Sequence, residues 1–168
     1  MPYHRLYYHI VWATSGRQPM IVPDVVKVVY SAIWDKAESL QAKVFAIGGI
    51  EDHVHLAVGL PPTIAIADFV AGIKGASAYH INHTPGGDHR IKWQRGYGVL
   101  SFSRDHLDRV VQYINGQKDH HSKEKLWASL EDYGGDGAQE RMIVRETQAE
   151  YDPFACLGFA PPSDGVPQ

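Results

Sequence analysis

The sequence predicts an α+β fold in which helices pack on an antiparallel sheet. Three observations support this. Segments with the two-residue period of a strand alternate with segments of helical period, in the order strand, helix, strand, strand, helix, strand, helix. The two middle strands are separated only by Glu51-Asp52, the spacing of a β-hairpin. The chain has 168 residues and 44% hydrophobic content, enough for one domain with a sizeable core.

Leu6-Tyr7-Tyr8-His9-Ile10-Val11-Trp12 is rich in aromatic and β-branched residues and reads as the first strand. It ends in a loop, Ala13 to Pro19. His9 shares a strand face with Tyr7 and Val11 and reads as a packed polar residue. Pro23-Asp24 opens a helix carrying Val25, Val28, Val29, Ala32, Ile33 and Ala37 at helical spacing, which runs to about Gln41. Trp34 and Tyr30 read as core or interface residues. Lys43 to Ile50 is the second strand, and the third follows through Glu51-Asp52 into His53-Val54-His55-Leu56-Ala57-Val58. Gly59-Leu60-Pro61-Pro62 ends it, since proline cannot donate to a central ladder.

Thr63 is the expected cap of a second helix reaching about Asn82, with Ile66, Phe69, Val70 and Ile73 as its buried stripe. Its far half, Lys74-Gly75-Ala76-Ser77, offers small residues for close packing and a lysine that can meet a phosphate. Residues 83–90 form a turn. Ile91-Lys92-Trp93-Gln94-Arg95-Gly96-Tyr97-Gly98 interleaves basic and aromatic groups, which suits stacking on unpaired bases beside phosphate contacts. Val99 to Ser103 is the fourth strand. Ser103 or Asp105 caps a third helix with Leu107, Val110, Val111 and Ile114 on its apolar side. Tyr113 and Gln117 lie four residues apart on it, hence on one face. The pattern then weakens: Leu126, Trp127 and Leu130 suggest a short helix, Gly134-Gly135-Asp136-Gly137 breaks it, and the rest looks irregular. The chain divides into a domain over 1–121 and an acidic extension over 122–168.

Net charge is −3, but it is unevenly placed. Residues 1–121 hold 12 Lys+Arg and 10 Asp+Glu, a balance of +2; residues 122–168 hold 4 and 9, a balance of −5. A near-neutral body with local basic spots neither excludes nor proves phosphate binding. No apolar run approaches the ~20 residues of a membrane helix. The N-terminus lacks the apolar core of a secretory signal, and the single cysteine, Cys156, excludes an internal disulfide. A cytoplasmic location is expected.

The chemistry centres on His53 and His55. Side chains two apart on a strand leave the same face, so two neutral imidazoles can offer nitrogens to one divalent cation while Val54 and Leu56 enter the core. If the third helix crosses the sheet near this strand, Gln117 can supply a third ligand and Tyr113 stands one turn away. A tyrosine hydroxyl needs activation to act as a nucleophile, and a metal with open positions can stabilise charge developing on phosphate oxygens.

The ordered set Tyr8-His9-Ile10-Val11-Trp12, Asp52-His53-Val54-His55-Leu56, Lys74-Gly75-Ala76-Ser77, Trp93-Gln94-Arg95-Gly96-Tyr97-Gly98 and Tyr113-Ile114-Asn115-Gly116-Gln117 resembles the single-tyrosine HUH transposases of the insertion-sequence 200/605 type, including REP-associated tyrosine transposases. The resemblance spans residues 3 to 121. It implies a ferredoxin-like or RRM-like sheet, Mg²⁺ or Mn²⁺ held by His53, His55 and Gln117, and Tyr113 as nucleophile. It further implies a homodimer joined at sheet edges, whose tyrosine helix can serve the partner's histidines. The substrate class would be single-stranded DNA with imperfect hairpins, cut and rejoined through a 5′-phosphotyrosine linkage without a nucleotide cofactor. Lys74, Trp93, Arg95 and Tyr97 are the expected DNA contacts. Two other functions compete. One is a metal- or histidine-dependent phosphoesterase acting on nucleotides, whose histidine-triad form would want a third alternating histidine where Ala57 stands; the other is a non-catalytic nucleic-acid-binding module, which would need neither Tyr113 nor the metal pair.

Overall fold

A computed structural model describes residues 3–117. The expected short helix near Trp127, the glycine break and the whole acidic extension lie outside the described residues.

The element order agrees with expectation: β1 (Tyr7–Ala13), α1 (Pro23–Ser39), β2 (Lys43–Ile50), β3 (His53–Gly59), α2 (Ile66–Asn82), β4 (Gly98–Phe102) and α3 (Leu107–Asn115). The strands form one antiparallel sheet in the order β2-β3-β1-β4, with β2 and β4 at its edges. Two βαβ-type crossovers interleaved about the central β3–β1 pair make this the ferredoxin-like arrangement.

Boundaries differ in instructive places. The second helix starts at Ile66 with Ala65 at its N-cap position, and Thr63 makes no capping bond. The proline pair and Thr63 belong to the preceding turn, where Ile64 N donates to Pro61 O at 3.4 Å. The third helix is preceded by a 3₁₀ turn over Arg104–His106, and neither Ser103 nor Asp105 caps it with a side chain. Ser103 Oγ instead lies 2.8 Å from His106 Nδ1. Trp34 is an exposed residue whose indole donates to Glu38 Oε1 at 2.9 Å, one turn along α1.

Pleating sorts the sheet into two faces. Ile10, Trp12, Val54, Leu56 and Val58 meet α1 and α2 in the main core, with Val29, Ile33, Phe69 and Ile73 fully or nearly fully buried against them. The other face carries a smaller cluster, in which Val110, Tyr113 and Ile114 of α3 rest on Ala46 and Ala57. Gly48 lies beside this cluster, and a Cβ there would overlap the carbonyl oxygen of Ile114, so only glycine lets α3 approach β2 this closely. At the hairpin, Gly49 has φ 152°, and a Cβ on it would overlap the carbonyl oxygen of His53. Among the described residues no helix is long and apolar enough to cross a membrane.

Candidate active site on the α3 face of the sheet

His53 and His55 leave β3 on the α3 face, as the two-residue period demands, and are 1% and 0% exposed. Their rings sit edge to face with centroids 4.8 Å apart. Register places Ala13 and Ile50 beside His53, and Val11 and Gly48 beside His55.

Each imidazole is oriented through its Nδ1. His53 Nδ1 lies 2.6 Å from Asp52 Oδ1, and Arg17 Nε donates to Asp52 Oδ2 at 2.7 Å. A contact that short to a carboxylate puts the proton on Nδ1, so His53 donates it and Nε2 carries the lone pair. Arg17 Nη2 is also 3.3 Å from Nδ1, but a nitrogen that already donates to Asp52 does not accept from the guanidinium, so we read that approach as charge proximity. Partial burial pushes the Asp52 carboxyl up, yet hydrogen bonds from Arg17 and His53, together with the Arg17 charge, outweigh it and hold the group below its ordinary value. Arg17, Asp52 and His53 thus form a chain of the kind that fixes a metal-binding imidazole.

His55 is oriented by a residue expected only to pack. His9 Nε2 lies 2.9 Å from His55 Nδ1, both rings are buried, and they stack at 5.1 Å. One proton is shared along that line. For Nε2 of His55 to present a lone pair, the proton sits on its Nδ1 and His9 accepts. The clue in the sequence is the pleat: His9 and His55 are on the same sheet face of adjacent strands, two residues off direct pairing, the diagonal position.

From the opposite side α3 brings Tyr113, whereas Gln117, expected on the same helix, lies past its end, because the helix stops at Asn115 with Gly116 as its C-cap. The Tyr113 ring stands edge-on to His55, centroids 5.9 Å apart and planes at 85°, and is 2% exposed. Gln117 is 1% exposed, and neither its Oε1 nor its Nε2 has a hydrogen-bond partner among the described residues. A buried primary amide without partners is costly, a few kcal/mol per group at most, and calls for an explanation. A divalent ion is one that fits: two imidazole nitrogens and an amide oxygen form a mixed donor set that leaves coordination positions open. Among the described residues no three His, Cys, Asp or Glu side chains group as a metal cluster.

The four expected DNA contacts divide into two kinds. Arg95 is exposed and Tyr97 half-buried on the loop before β4. Trp93 packs edge-on to Trp12 at 6.0 Å, and its indole donates to Ser77 Oγ at 3.0 Å. Lys74 Nζ donates to the carbonyls of Gln94, Arg95 and Gly96 at 2.6, 3.2 and 3.2 Å. These two side chains hold the loop; Arg95 is presented by it, while Tyr97 is partly buried against the main core.

Comparison with known proteins identifies a family and a shared fold. The family model described as "Transposase IS200 like" matches residues 2–117. The ISDra2 transposase TnpA of Deinococcus radiodurans is 29% identical over 124 residues, covering 69% of this chain and 86% of that protein. A transposase for insertion sequence element IS200 from Salmonella typhimurium is 25% identical over 116 residues, 66% of this chain and 75% of that one. Among solved structures, a transposase from D. radiodurans superposes with TM-score 0.54 at 31% identity, covering 69% of this chain and 93% of its own. A REP-associated tyrosine transposase bound to a REP hairpin superposes at 0.53 over 85% of this chain and 96% of its own; at 15% identity this likeness speaks for the fold alone.

Proposed function

The chain belongs to the IS200-like transposase family, and on that premise we propose that it cuts and rejoins single-stranded DNA at hairpin-flanked ends through a covalent tyrosine intermediate. The observation that supports the proposal is the Tyr113 ring standing against the oriented imidazole of His55, beside His53, on one sheet face, with the buried, unpartnered amide of Gln117 just past the end of the tyrosine helix.

Tyr113 is the nucleophile. Its oxygen attacks the scissile phosphorus, a Tyr113–phosphate bond forms, the bond to the 3′ oxygen breaks, and the departing 3′ hydroxyl ends with the proton the phenol gave up. The energy of the diester stays in the phosphotyrosine, so attack by another 3′ hydroxyl reverses the step and joins a new strand. Mg²⁺ or Mn²⁺, held by His53, His55 and Gln117, would polarise the phosphate and stabilise its charge. Asp52 and His9 keep the two imidazoles turned toward that position, and Arg95 and Tyr97 hold the neighbouring strand.

At 2% exposure Tyr113 needs an opening before DNA reaches it. A modest movement suffices, because α3 rests on the smaller of the two clusters, against two alanines and the glycine surface of β2. A homodimer in which α3 serves the partner's histidines is compatible with such a movement, and sedimentation of the full chain tests the dimer.

The decisive experiment incubates the full chain with hairpin oligonucleotides from DNA flanking its own gene and Mn²⁺, then looks for a denaturant-stable DNA–protein adduct. Wild type should form it and Tyr113→Phe should not. An adduct on Tyr113→Phe would end the assignment.

A further inference from the structure

The segment 91–96 is gripped along its length by one side of α2. Asn82 takes both backbone groups of Ile91: its Nδ2 donates to the carbonyl at 3.0 Å and its Oδ1 accepts from the amide at 2.8 Å. Ser77 follows one turn and a half nearer the start of the helix. Its hydroxyl donates back to Ile73 O at 2.9 Å, which turns its lone pairs to the indole of Trp93. Lys74 comes next and gathers three consecutive carbonyls. An ammonium has three N–H donors, and these three carbonyls match them in number.

The opposite edge of the segment is held by the chain leaving β1. Ser15 N donates to Lys92 O at 2.7 Å, Gln94 N donates to Ala13 O at 3.0 Å, and Thr14 bridges Trp93. Ala13 pairs with His53, and Gly98 pairs with Val11, the partner of His55. The loop therefore borders the histidine pair across one strand, two strand spacings or about 10 Å away.

We infer that Lys74 is a positioning residue for the strand-binding loop, not a phosphate contact. By drawing three successive carbonyls to one point, it turns residues 94–96 about itself and fixes where Arg95 and Tyr97 stand relative to the histidines. This deepens the single-strand reading above and rests on it for the ligand. A phosphate at Lys74 would have to displace these three carbonyls.

The test uses the full chain with Lys74→Met, Lys74→Gln, Arg95→Ala and the Lys74→Met/Arg95→Ala double variant. Without DNA, hydrogen exchange at amides 95–98 should speed up by about tenfold or more in Lys74→Met, with α1 and β3 unchanged. Lys74→Gln, neutral but still a donor, should recover part of the protection. With a single-stranded oligonucleotide, Arg95→Ala should lower the slope of log affinity against log salt by about 0.7, the value for one phosphate contact on a single strand. Lys74→Met should weaken binding with the slope unchanged, and the double variant should bind no worse than Arg95→Ala alone. A slope loss of about 0.7 in Lys74→Met with the loop still protected would overturn the inference, as would additive losses in the double variant. If wild type binds no single strand, the function above fails, while the exchange measurement still judges Lys74.

Discussion

Replacing Gly48 by alanine tests whether α3 works where the structure seats it. A methyl at position 48 would overlap Ile114 O and lie 3.0 Å from Ile114 Cγ2 and 3.2 Å from Ile114 C, where ordinary contacts are 3.4–4 Å. The closest atom is helix backbone, the carbonyl oxygen of Ile114, so no side-chain rotation relieves the overlap. The helix end must retreat by about 1 Å, and a misplacement of that size at a reacting group costs on the order of 10²-fold in rate. Overpacking of this kind costs roughly 1–3 kcal/mol. Gly48→Ala should therefore melt several degrees lower and form the Tyr113 adduct about a hundredfold more slowly, with single-strand affinity little changed. Gly75→Ala is the control: its Cβ meets nothing within 4 Å on a helix interior, so it should raise stability by up to ~1 kcal/mol and leave the rate alone. Wild-type melting and adduct formation in Gly48→Ala would refute the docking of α3 on β2 in the working protein.

The supports of the histidines make a second prediction: His9→Ala or Asp52→Asn should lower Mn²⁺ affinity by about 10–100-fold in calorimetry on the DNA-free protein. Trp93→Phe removes the indole bond to Ser77 and part of the contact with Trp12, and should cost roughly 1–2 kcal/mol in chemical denaturation. Burial, then the charge of Glu51, pushes the Tyr30 phenol from 10.0 to about 12. A raised folded value holds the proton more tightly in the native state, so the stabilisation is present below pH 10 and is lost as pH rises to about 12. Tyr30→Phe should flatten that alkaline decline relative to wild type in denaturation midpoints measured from pH 9 to 12.

Much of this protein can be read from local pattern. Period-two and helical segments located the four strands and three α-helices of the described residues, because each element's burial follows from its own spacing. The same rule put His53 and His55 on one face, and Tyr113 within a turn of Gln117. Helix starts were less legible. Ala65 and His106 occupy cap positions without capping bonds, so those ends are set by the preceding turns and by packing.

What lies between elements was settled by the tertiary structure. A sequence states that Lys74 is basic and Trp93 aromatic, which fits DNA contacts; only the approach of α2 to the segment 91–96 reveals three carbonyls and a serine waiting for them. It states that His9 faces one side of β1, but the strand order that makes β3 its neighbour turns a packed histidine into the partner of His55. Periodicity is a one-residue-scale property encoded locally, whereas the company a side chain keeps depends on register between strands 46 residues apart in the chain, and that is fixed only when the sheet closes.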